Sequence, residues 1–332
     1  MERVNKFLEA KSEEGEQIRE VRVIPLTLTN PVTPEFASTM TAGQFFIEVL
    51  KERGISIENK DVLVVTSKLV SLFDGRTIKL KDVIPSRKAR ILGKFFHKDP
   101  REVELIMREG KVKFVIPFKK IAKHPILWKK MLKFSADPEG TREALDISTY
   151  VFVVRNHAAY LDDAGIDFSN SPSEYVTLLP KDPCKSAQKI REEIKQLTGK
   201  DIAVIITDTV SELGRMGSQD IAIGYSGIDP ITRKSGKRDL FGEPHLGGND
   251  MVIDSLAGMA GLVMGQMDES TPATLIKGLR YDSEKPDKDY KGMELVDYPP
   301  GLTVRSTFLT FLTTLWFYIV NFFTFQRWPR KR

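Results

Sequence analysis

Three loops in this chain of 332 residues carry the side chains that could do chemistry, and each follows an apolar segment. The first is 164–170 (AGIDFSN), which follows a strand-like run ending at Val154. The second is 206–209 (ITDT), at the end of the most apolar strand-like run, and the third is 264–269 (MGQMDE), after a helix rich in small residues. Carboxylates grouped with a hydroxyl and side-chain amides are the oxygen ligands that Mg²⁺ or Mn²⁺ prefers.

The same loops also have an ordinary structural interpretation. An Asp-Thr pair after a strand, such as Asp208–Thr209, is often only a turn or a helix cap. Glycines such as Gly165 and Gly265, by contrast, let backbone amides approach phosphate oxygens closely. Three such loops, in a chain with no pair of histidines at metal-binding spacing, favour metal-assisted phosphate chemistry.

Apolar periodicity indicates the elements that must position these loops. Short β-branched runs predict buried strands, and apolar residues at helical spacing that end near a glycine predict helices. The predicted strands are 21–25, 61–65 and 202–207, and the predicted helices are 41–53, 185–197 and 255–264. The first strand leads into a Thr/Asn/Pro-rich loop, the second into a polar turn at 66–68, and the third into Asp208 and Thr209.

Composition excludes several classes of protein. The single cysteine, Cys184, excludes a disulfide framework and a multi-thiolate metal site. The net charge is +5, but four positive charges lie in the last six residues, so we expect no nucleic-acid partner. Residues 1–20 are highly charged and predict a solvated extension without a secretory signal, so the body is expected to be cytoplasmic.

Residues 306–325 differ from the rest of the chain because none of these twenty residues is charged and thirteen are apolar or aromatic. As a helix they would extend over about 30 Å, with the seven polar residues in one sector. This pattern predicts association with membrane lipid through 306–325. The helix either spans the bilayer or lies in the interface, where the basic C-terminal end would face anionic headgroups.

A second local charge excess lies in 118–134, where six lysines occur without one acidic residue. It belongs to a segment, about 112–148, that we interpret as a basic insertion in the body. Three interpretations stay open for its lysines: a solvated face, a membrane-facing patch, or a lid for an anionic substrate.

Several motifs occur in the order and spacing of one known family. They are DVLVVTSKLVSLFDGR (61–76), AGIDFSN (164–170), LLPKDPCKSAQKIREEIKQLTGKDIAVIITDT (178–209), AIGYSGIDPI (222–231), RDLFGEPHL (238–246) and LAGMAGLVMGQ (256–266). Over roughly residues 21–282 the chain resembles the coenzyme F420-0:L-glutamate ligases, GTP-dependent enzymes that add γ-linked glutamates to a deazaflavin cofactor. We therefore expect a mixed α/β (α+β), F420-0:gamma-glutamyl ligase-like catalytic body over 21–300. The extension 1–20 precedes this body, and the membrane-associating tail 301–332 follows it.

The resemblance implies roles for residues of the three loops. Asp167 and Asp208, which it places at the catalytic centre, match ligands of one divalent ion, and Thr209 and Gln266 match ligands of a second. Further positions match nucleotide-contacting residues: Ser67, Lys68, Asn170, Met264, Gly265, Gln266, Met267, Asp268 and Glu269, with segment 27–30 aligned loosely.

The resemblance also implies a reaction and its partners. A family enzyme activates the terminal carboxylate of its substrate as an acyl phosphate, and the amine of glutamate then displaces phosphate. It uses GTP and two divalent ions, Mg²⁺ or Mn²⁺, and a monovalent cation is a further candidate cofactor. The implied partners are F420-0, L-glutamate and a second copy of the chain in a homodimer.

Four departures from the family pattern involve five residues. Leu72 replaces a lysine, Asp163 an asparagine, Ser211–Glu212 a Gly-Arg pair, and Gln266 an acidic ligand. Losing one cation beside a phosphate can lower a rate by roughly 10²- to 10³-fold. Two alternatives therefore stay open: an amide ligase of the same mechanism for another carboxylate and amine, and a membrane-bound homologue that binds F420 or nucleotide without catalysis.

Overall fold

The computed structural model describes residues 20–156, 159–169, 174–211, 217–283 and 302–323. Contacts divide the chain into two units, Met1–Met293 and Glu294–Arg332, and each is described by itself. The extension predicted for residues 1–20 lies outside the described residues, apart from Glu20.

The described part of the first unit contains ten strands in three sheets. The strands are β1 (Arg22–Pro25), β2 (Val62–Thr66), β3 (Thr77–Lys79), β4 (Lys111–Ile116), β5 (Val151–Asn156), β6 (Ala159–Asp162), β7 (Tyr175–Thr177), β8 (Ala203–Ser211), β9 (Ser218–Ser226) and β10 (Ala273–Lys277). The central sheet has the order β1-β10-β2-β8-β9, while β3 pairs with β7 and β4, β5 and β6 form the third sheet. Within the central sheet β2 and β8 are parallel, and the other neighbours are antiparallel.

The described residues also form eleven α-helices, ten of them in the first unit. They are α1 (Pro34–Ala37), α2 (Ala42–Glu52), α3 (Ser67–Phe73), α4 (Arg87–Phe96), α5 (Pro100–Glu109), α6 (Phe118–Ala122), α7 (Pro125–Phe134), α8 (Pro138–Ile147), α9 (Pro183–Thr198), α10 (Val252–Met264) and, in the second unit, α11 (Leu302–Phe323). Sequence signals set their ends: Thr41 caps α2 through a capping box with Gln44, and Gly199 ends α9 in the left-handed conformation.

Strand β2 shows why the central sheet is buried on both faces. Leu63 and Val65 pack in the cluster that contains α2 and α9, whereas Val62 and Val64 pack in the cluster that contains α10. All four side chains have no exposed surface, because helices cover both faces of the sheet. The expected mixed α/β body is confirmed, with the sheet between two helical layers.

A separate hydrophobic core holds the loop that carries Asp167. Val103 and Ile106 of α5 pack against Phe152 and Val154 of β5, and Ile166 closes the same cluster. The loop is thus fixed from behind by packed side chains, while its polar residues face the other way.

Two local predictions are wrong. Thr66–Lys68 is not a free turn, because Ser67 and Lys68 form the first turn of α3. Asp208 and Thr209 do not follow the end of β8, since the strand continues to Ser211 and pairs with β9. The added length gives Asp208 and Thr209 fixed backbone hydrogen bonds, which a turn would not.

The basic insertion contains β4 and the short helices α6, α7 and α8. Helix α7 has no fully buried residue, and its outer face carries Lys129, Lys130 and Lys133. Two lysines of α6 and the turn after it, Lys119 and Lys123, pair with one carboxylate, Asp146.

The uncharged C-terminal segment forms α11, as its pattern predicts. Within the residues that the structure describes, however, no helix is both long enough and apolar enough to cross a membrane. Hydroxyl side chains such as Thr310, Thr313 and Thr314 lower the hydropathy of this helix.

Candidate active site

The carboxyl end of β2 and the residues 207–209 within β8 border a cavity of about 810 Å³. Because the two strands are parallel and pair Val65 with Ile206, the side chains that follow them are neighbours. Residues from all three chemically interesting loops meet at this cavity. Its lining includes Ser67, Lys68, Asp167, Asp208, Thr209, Met264, Gly265, Gln266, Met267, Asp268 and Glu269.

Asp208 lies between a hydroxyl and two other carboxylates. The Ser67 hydroxyl, in the first turn of α3, donates a hydrogen bond of 3.0 Å to Asp208 Oδ1. Burial raises the pKa of Asp208 to about 7, and the negative charges of Asp167 and Asp220 add to this effect. Such a carboxyl takes up a proton near neutral pH unless a cation lies beside it.

Asp167 is held by an ion pair and by its own loop. Lys68 Nζ lies 2.5 Å from Asp167 Oδ2, and it also donates hydrogen bonds to the carbonyl oxygen and the hydroxyl of Ser169. The amide and the hydroxyl of Ser169 each donate to Asp167 Oδ1, both at 2.7 Å. The backbone of Asp167 pairs with Thr177 of β7. This carboxylate is therefore fixed before any ligand binds.

Thr209 and Gln266 meet at a third carboxylate, Asp220. The Thr209 hydroxyl lies 2.8 Å from Asp220 Oδ1 and 2.6 Å from Gln266 Oε1. Gln266 Nε2 donates a hydrogen bond of 2.8 Å to the same Asp220 oxygen. Asp220 is only 7% exposed and lies opposite Thr209 in the pairing of β8 with β9. The three side chains thus form one hydrogen-bonded group at the cavity wall.

The loop after α10 is shaped around a glycine and a carboxylate. Gly265 has φ +71°, and a Cβ at this position would overlap the carboxylate of Glu269. Glu269 Oε2 accepts a hydrogen bond of 2.8 Å from the amide of Met267, which lowers the pKa of Glu269. Met264, in contrast, is 2% exposed and packs in the core, so its side chain supports the loop from below.

The first and last segments of the cavity wall are joined to one another. The amide of Leu28 donates to the carbonyl of Ser270 at 2.7 Å, and the hydroxyls of Thr27 and Thr271 lie 2.8 Å apart. The loosely aligned segment 27–30 therefore lies beside the 264–271 loop. Two segments that contact the same nucleotide would have to be neighbours in this way.

The candidate metal ligands at this cavity all offer oxygen atoms. Among the described residues, no three or more His, Cys, Asp or Glu side chains are placed together so that they could hold a metal ion. Asp167 and Asp208 supply two carboxylates, and Thr209 and Gln266 add a hydroxyl and an amide oxygen. Hard oxygen donors of this kind fit Mg²⁺ or Mn²⁺. A cation beside Asp208 would stabilise its charged form, against the burial and the neighbouring carboxylates that raise its pKa.

The sequence matches a family model over most of this body. The model of F420-0:Gamma-glutamyl ligase matches residues 33–278, a region that contains the three chemically interesting loops and Asp220. The chain belongs to the F420-0:gamma-glutamyl ligase family. The expected family resemblance is thereby confirmed.

Three relatives bear the name coenzyme F420:L-glutamate ligase. The protein of Methanopyrus kandleri is 31% identical over 279 residues, which is 84% of this chain and 95% of the relative. That of Methanocaldococcus jannaschii is 33% identical over 72% of this chain and 82% of its own length. That of Methanothermobacter thermautotrophicus is 32% identical over 70% and 80%, respectively.

Two of the described residues that depart from the family pattern, Asp163 and Ser211, are not among those that line the cavity. Asp163 turns away from the cavity, because its Oδ2 accepts from Lys98 Nζ and its Oδ1 from the amide of Phe152, both at 2.9 Å. Ser211 is the last residue of β8 and pairs with Ser218. Glu212 and Asn170 lie outside the described residues.

The other two departures line the cavity. Leu72 packs partly against the core and presents an apolar side chain where a ligase of this family would have a cation. Gln266 presents an amide whose orientation is set by its hydrogen bonds.

Asp220 is the residue that sequence reasoning missed. Its proximity to Thr209 depends on the β8–β9 register, and β9 was not predicted. A weak signal existed, because Asp220 directly precedes the apolar residues Ile221, Ala222 and Ile223.

Proposed function

We propose that this chain is a ligase of the γ-glutamyl ligase type that attaches L-glutamate to coenzyme F420-0 through an amide bond, driven by GTP. The observation that carries the proposal is the family match over residues 33–278, whose motif residues line one cavity. The relatives named for this activity cover most of the body.

The proposed reaction has two steps. An oxygen of the terminal carboxylate of F420-0 attacks the γ-phosphorus of GTP, which forms an acyl phosphate and releases GDP. The amine of glutamate then attacks the acyl carbon, so that the C–N bond forms, phosphate leaves and the amine loses a proton. Both steps need a site that holds the reacting groups in line and excludes water.

Residues of this chain fit the charges of that reaction. Lys68 can move from Asp167 to a phosphate oxygen, because its ammonium already lies at the cavity wall. Ser67 holds Asp208 at a fixed position, and we propose Asp167, Asp208, Thr209 and Gln266 as the ligands of two divalent ions. Bound Mg²⁺ or Mn²⁺ would supply charge neutralisation of the phosphates. We assign the 264–269 loop to the nucleotide.

A second candidate function rests on Leu72. An apolar side chain in the cavity, where the family has a phosphate-pairing lysine, favours either a different carboxylate and amine or a homologue that binds nucleotide without turnover. A protein that binds GTP only with a divalent ion, and that forms no amide of F420 with any amine tested, would support the non-catalytic form.

We propose that the chain forms a homodimer through the segment between β9 and α10. Leu240, Phe241 and Leu246 are 84%, 92% and 92% exposed, and a backbone bridge joins Arg238 to Pro244 at the base of this protruding turn. Large exposed apolar side chains on one segment mark a contact surface. Light scattering should give about twice 37.6 kDa, and Phe241→Ser with Leu246→Ser should give the monomer; a monomeric wild type would contradict the proposal.

We propose that α11 lies in the interface of a membrane. Its described side chains, Leu309 to Val320, are all exposed and include Trp316, Phe317 and Tyr318. Aromatic side chains favour the headgroup region. The protein should sediment with anionic vesicles, and deletion of 303–332 should release it. If the truncated protein still sediments, the body binds the vesicles, and the lysines of α7 are the candidate contact.

The function is tested by a mass-spectrometric endpoint assay. Protein is incubated with F420-0, L-glutamate, GTP and Mg²⁺ or Mn²⁺, and controls omit GTP or use the Asp208→Ala variant. We expect a product heavier by one glutamyl residue only in the complete reaction. A folded, GTP-binding protein that gives no such product would contradict the assignment of substrate.

A further inference from the structure

Asp220 touches two proposed metal ligands without being assigned to the metal itself. Both hydrogen bonds end on one of its oxygens, Oδ1, which accepts from Thr209 Oγ1 and from Gln266 Nε2. The carboxylate is almost completely buried and stands behind these two side chains in the pairing of β8 with β9.

The orientation of the Gln266 amide is the chemical problem that this contact solves. An amide presents an oxygen at one end and an NH₂ group at the other, and only the oxygen can bind a cation. Because Nε2 donates to Asp220, Oε1 is left pointing to Thr209 and away from the carboxylate. Without a carboxylate there, the NH₂ end could equally turn toward the cation.

The hydroxyl of Thr209 must also be oriented so that its oxygen faces the cation. It has one proton, and two acceptors lie within reach, Asp220 Oδ1 and Gln266 Oε1. When the proton is given to Asp220, the lone pairs of Thr209 Oγ1 and of Gln266 Oε1 all remain available to a cation. A charged acceptor is favoured for this role, since hydrogen bonds to a carboxylate are stronger than those to a neutral group.

We infer that Asp220 is a positioning residue, which collects the two donor hydrogens of Thr209 and Gln266 and thereby turns both oxygens toward a divalent ion. The inference rests on the proposed function, because it needs these two oxygens to be ligands. It explains how a neutral glutamine can serve where the family often has an acidic ligand.

Helix α10 offers a way to move Asp220 without replacing it. A Cβ at Gly261 would clash with the Asp220 carboxylate, whose Cγ would lie 3.0 Å away. At Gly258, one turn earlier, a Cβ would meet only the Asp220 carbonyl oxygen at 4.0 Å. Alanine favours the helix at both positions. Gly261→Ala therefore displaces the carboxylate, and Gly258→Ala is the matched control.

The test measures Mn²⁺ binding by electron paramagnetic resonance on the full-length protein, with GTP but without F420-0 or glutamate. Asp220→Ala and Gly261→Ala should each weaken Mn²⁺ binding about tenfold or more, whereas Asp220→Asn, which keeps an acceptor oxygen, should lose less. Gly258→Ala should bind like the wild type. Thermal unfolding of each variant shows whether it is folded.

Two outcomes would overturn the inference. One is wild-type Mn²⁺ affinity in both Asp220→Ala and Gly261→Ala, and the other is equal loss in Gly261→Ala and Gly258→Ala. In turnover assays the variants should need more Mg²⁺ but approach the wild-type kcat at saturation. A wild type that binds Mn²⁺ but does not glutamylate F420-0 would contradict the proposed substrate alone, and the binding comparison would still decide the role of Asp220.

Discussion

Lys68 Nζ and Asp167 Oδ2 are only 2.5 Å apart, so a cation proposed to meet phosphate is paired with a carboxylate proposed to meet metal. Both side chains are partly exposed at the cavity wall, with 23% and 40% of their surface accessible. In the ligand-free protein each charge thus neutralises the other. When a nucleotide binds with its metal, Lys68 would pair with a phosphate and Asp167 with the metal ion.

The pair predicts a binding defect rather than a folding defect when Lys68 is neutralised. Lys68→Gln should raise the KM for GTP by about tenfold or more, because a phosphate loses its cation. The free energy of unfolding should fall by less than about 1 kcal/mol, since partly exposed pairs contribute little. Steady-state kinetics and chemical denaturation measure the two effects. Lys81→Gln, which breaks a pair with Glu174 outside the cavity, is the control and should leave the KM unchanged.

The raised pKa of Asp208 predicts an unusual dependence of stability on pH. Between about pH 4 and 7 the folded protein keeps this proton whereas the unfolded chain has lost it. Without divalent ions, the contribution of Asp208 to the free energy of unfolding should therefore fall as pH rises through this range. Denaturation at several pH values, compared with Asp208→Asn, isolates the effect. An identical pH profile in the two proteins would contradict the assigned pKa.

Leu72→Lys restores the cation that the family pattern has at this position. If the chain is a ligase for F420-0, kcat/KM for GTP should rise about tenfold, because a positive charge is added beside the phosphates. Leu72→Met, which keeps an apolar side chain of similar size, should change little. A loss of activity in Leu72→Lys with the fold intact would favour a site adapted to another substrate.

Asp163 is predicted to act on stability and not on the reaction. Asp163→Asn keeps an acceptor for the amide of Phe152 but removes the charge that pairs with Lys98 at 2.9 Å. Lys98 is only 11% exposed and would retain Glu102 as its remaining partner. We expect a loss of about 1–3 kcal/mol in the free energy of unfolding, with kcat unchanged. A change in metal affinity would show instead that Asp163 serves the cavity.

The sequence was sufficient where a pattern is local. The run DVLVV predicts β2, because a strand buried on both faces consists of consecutive apolar residues. Small residues that end at Gly265 predict α10, because a glycine with positive φ commonly follows the last turn of a helix. The motif residues that follow these two elements, Ser67 and Lys68 after β2 and the 264–269 loop after α10, consequently line the cavity.

The sequence was insufficient where a residue depends on a distant partner. The continuation of β8 past Thr207 contains one apolar residue, Val210, so no apolar pattern predicts it, and each of its residues pairs with β9. Asp163 replaces an asparagine of the family pattern, and no local signal shows that its carboxylate pairs with Lys98, 65 residues away. Asp220 reaches Gln266 only when β8, β9 and α10 are assembled.

The central claim, that this protein joins glutamate to F420-0 through an activated carboxylate, is tested most directly by following an oxygen isotope. F420-0 labelled with ¹⁸O in its terminal carboxylate is incubated with GTP, L-glutamate and Mg²⁺, and both products are analysed by mass spectrometry. We expect one glutamyl residue added to F420 and one ¹⁸O atom transferred to the released phosphate. Phosphate without ¹⁸O, or GTP hydrolysis without glutamylated F420, would contradict it.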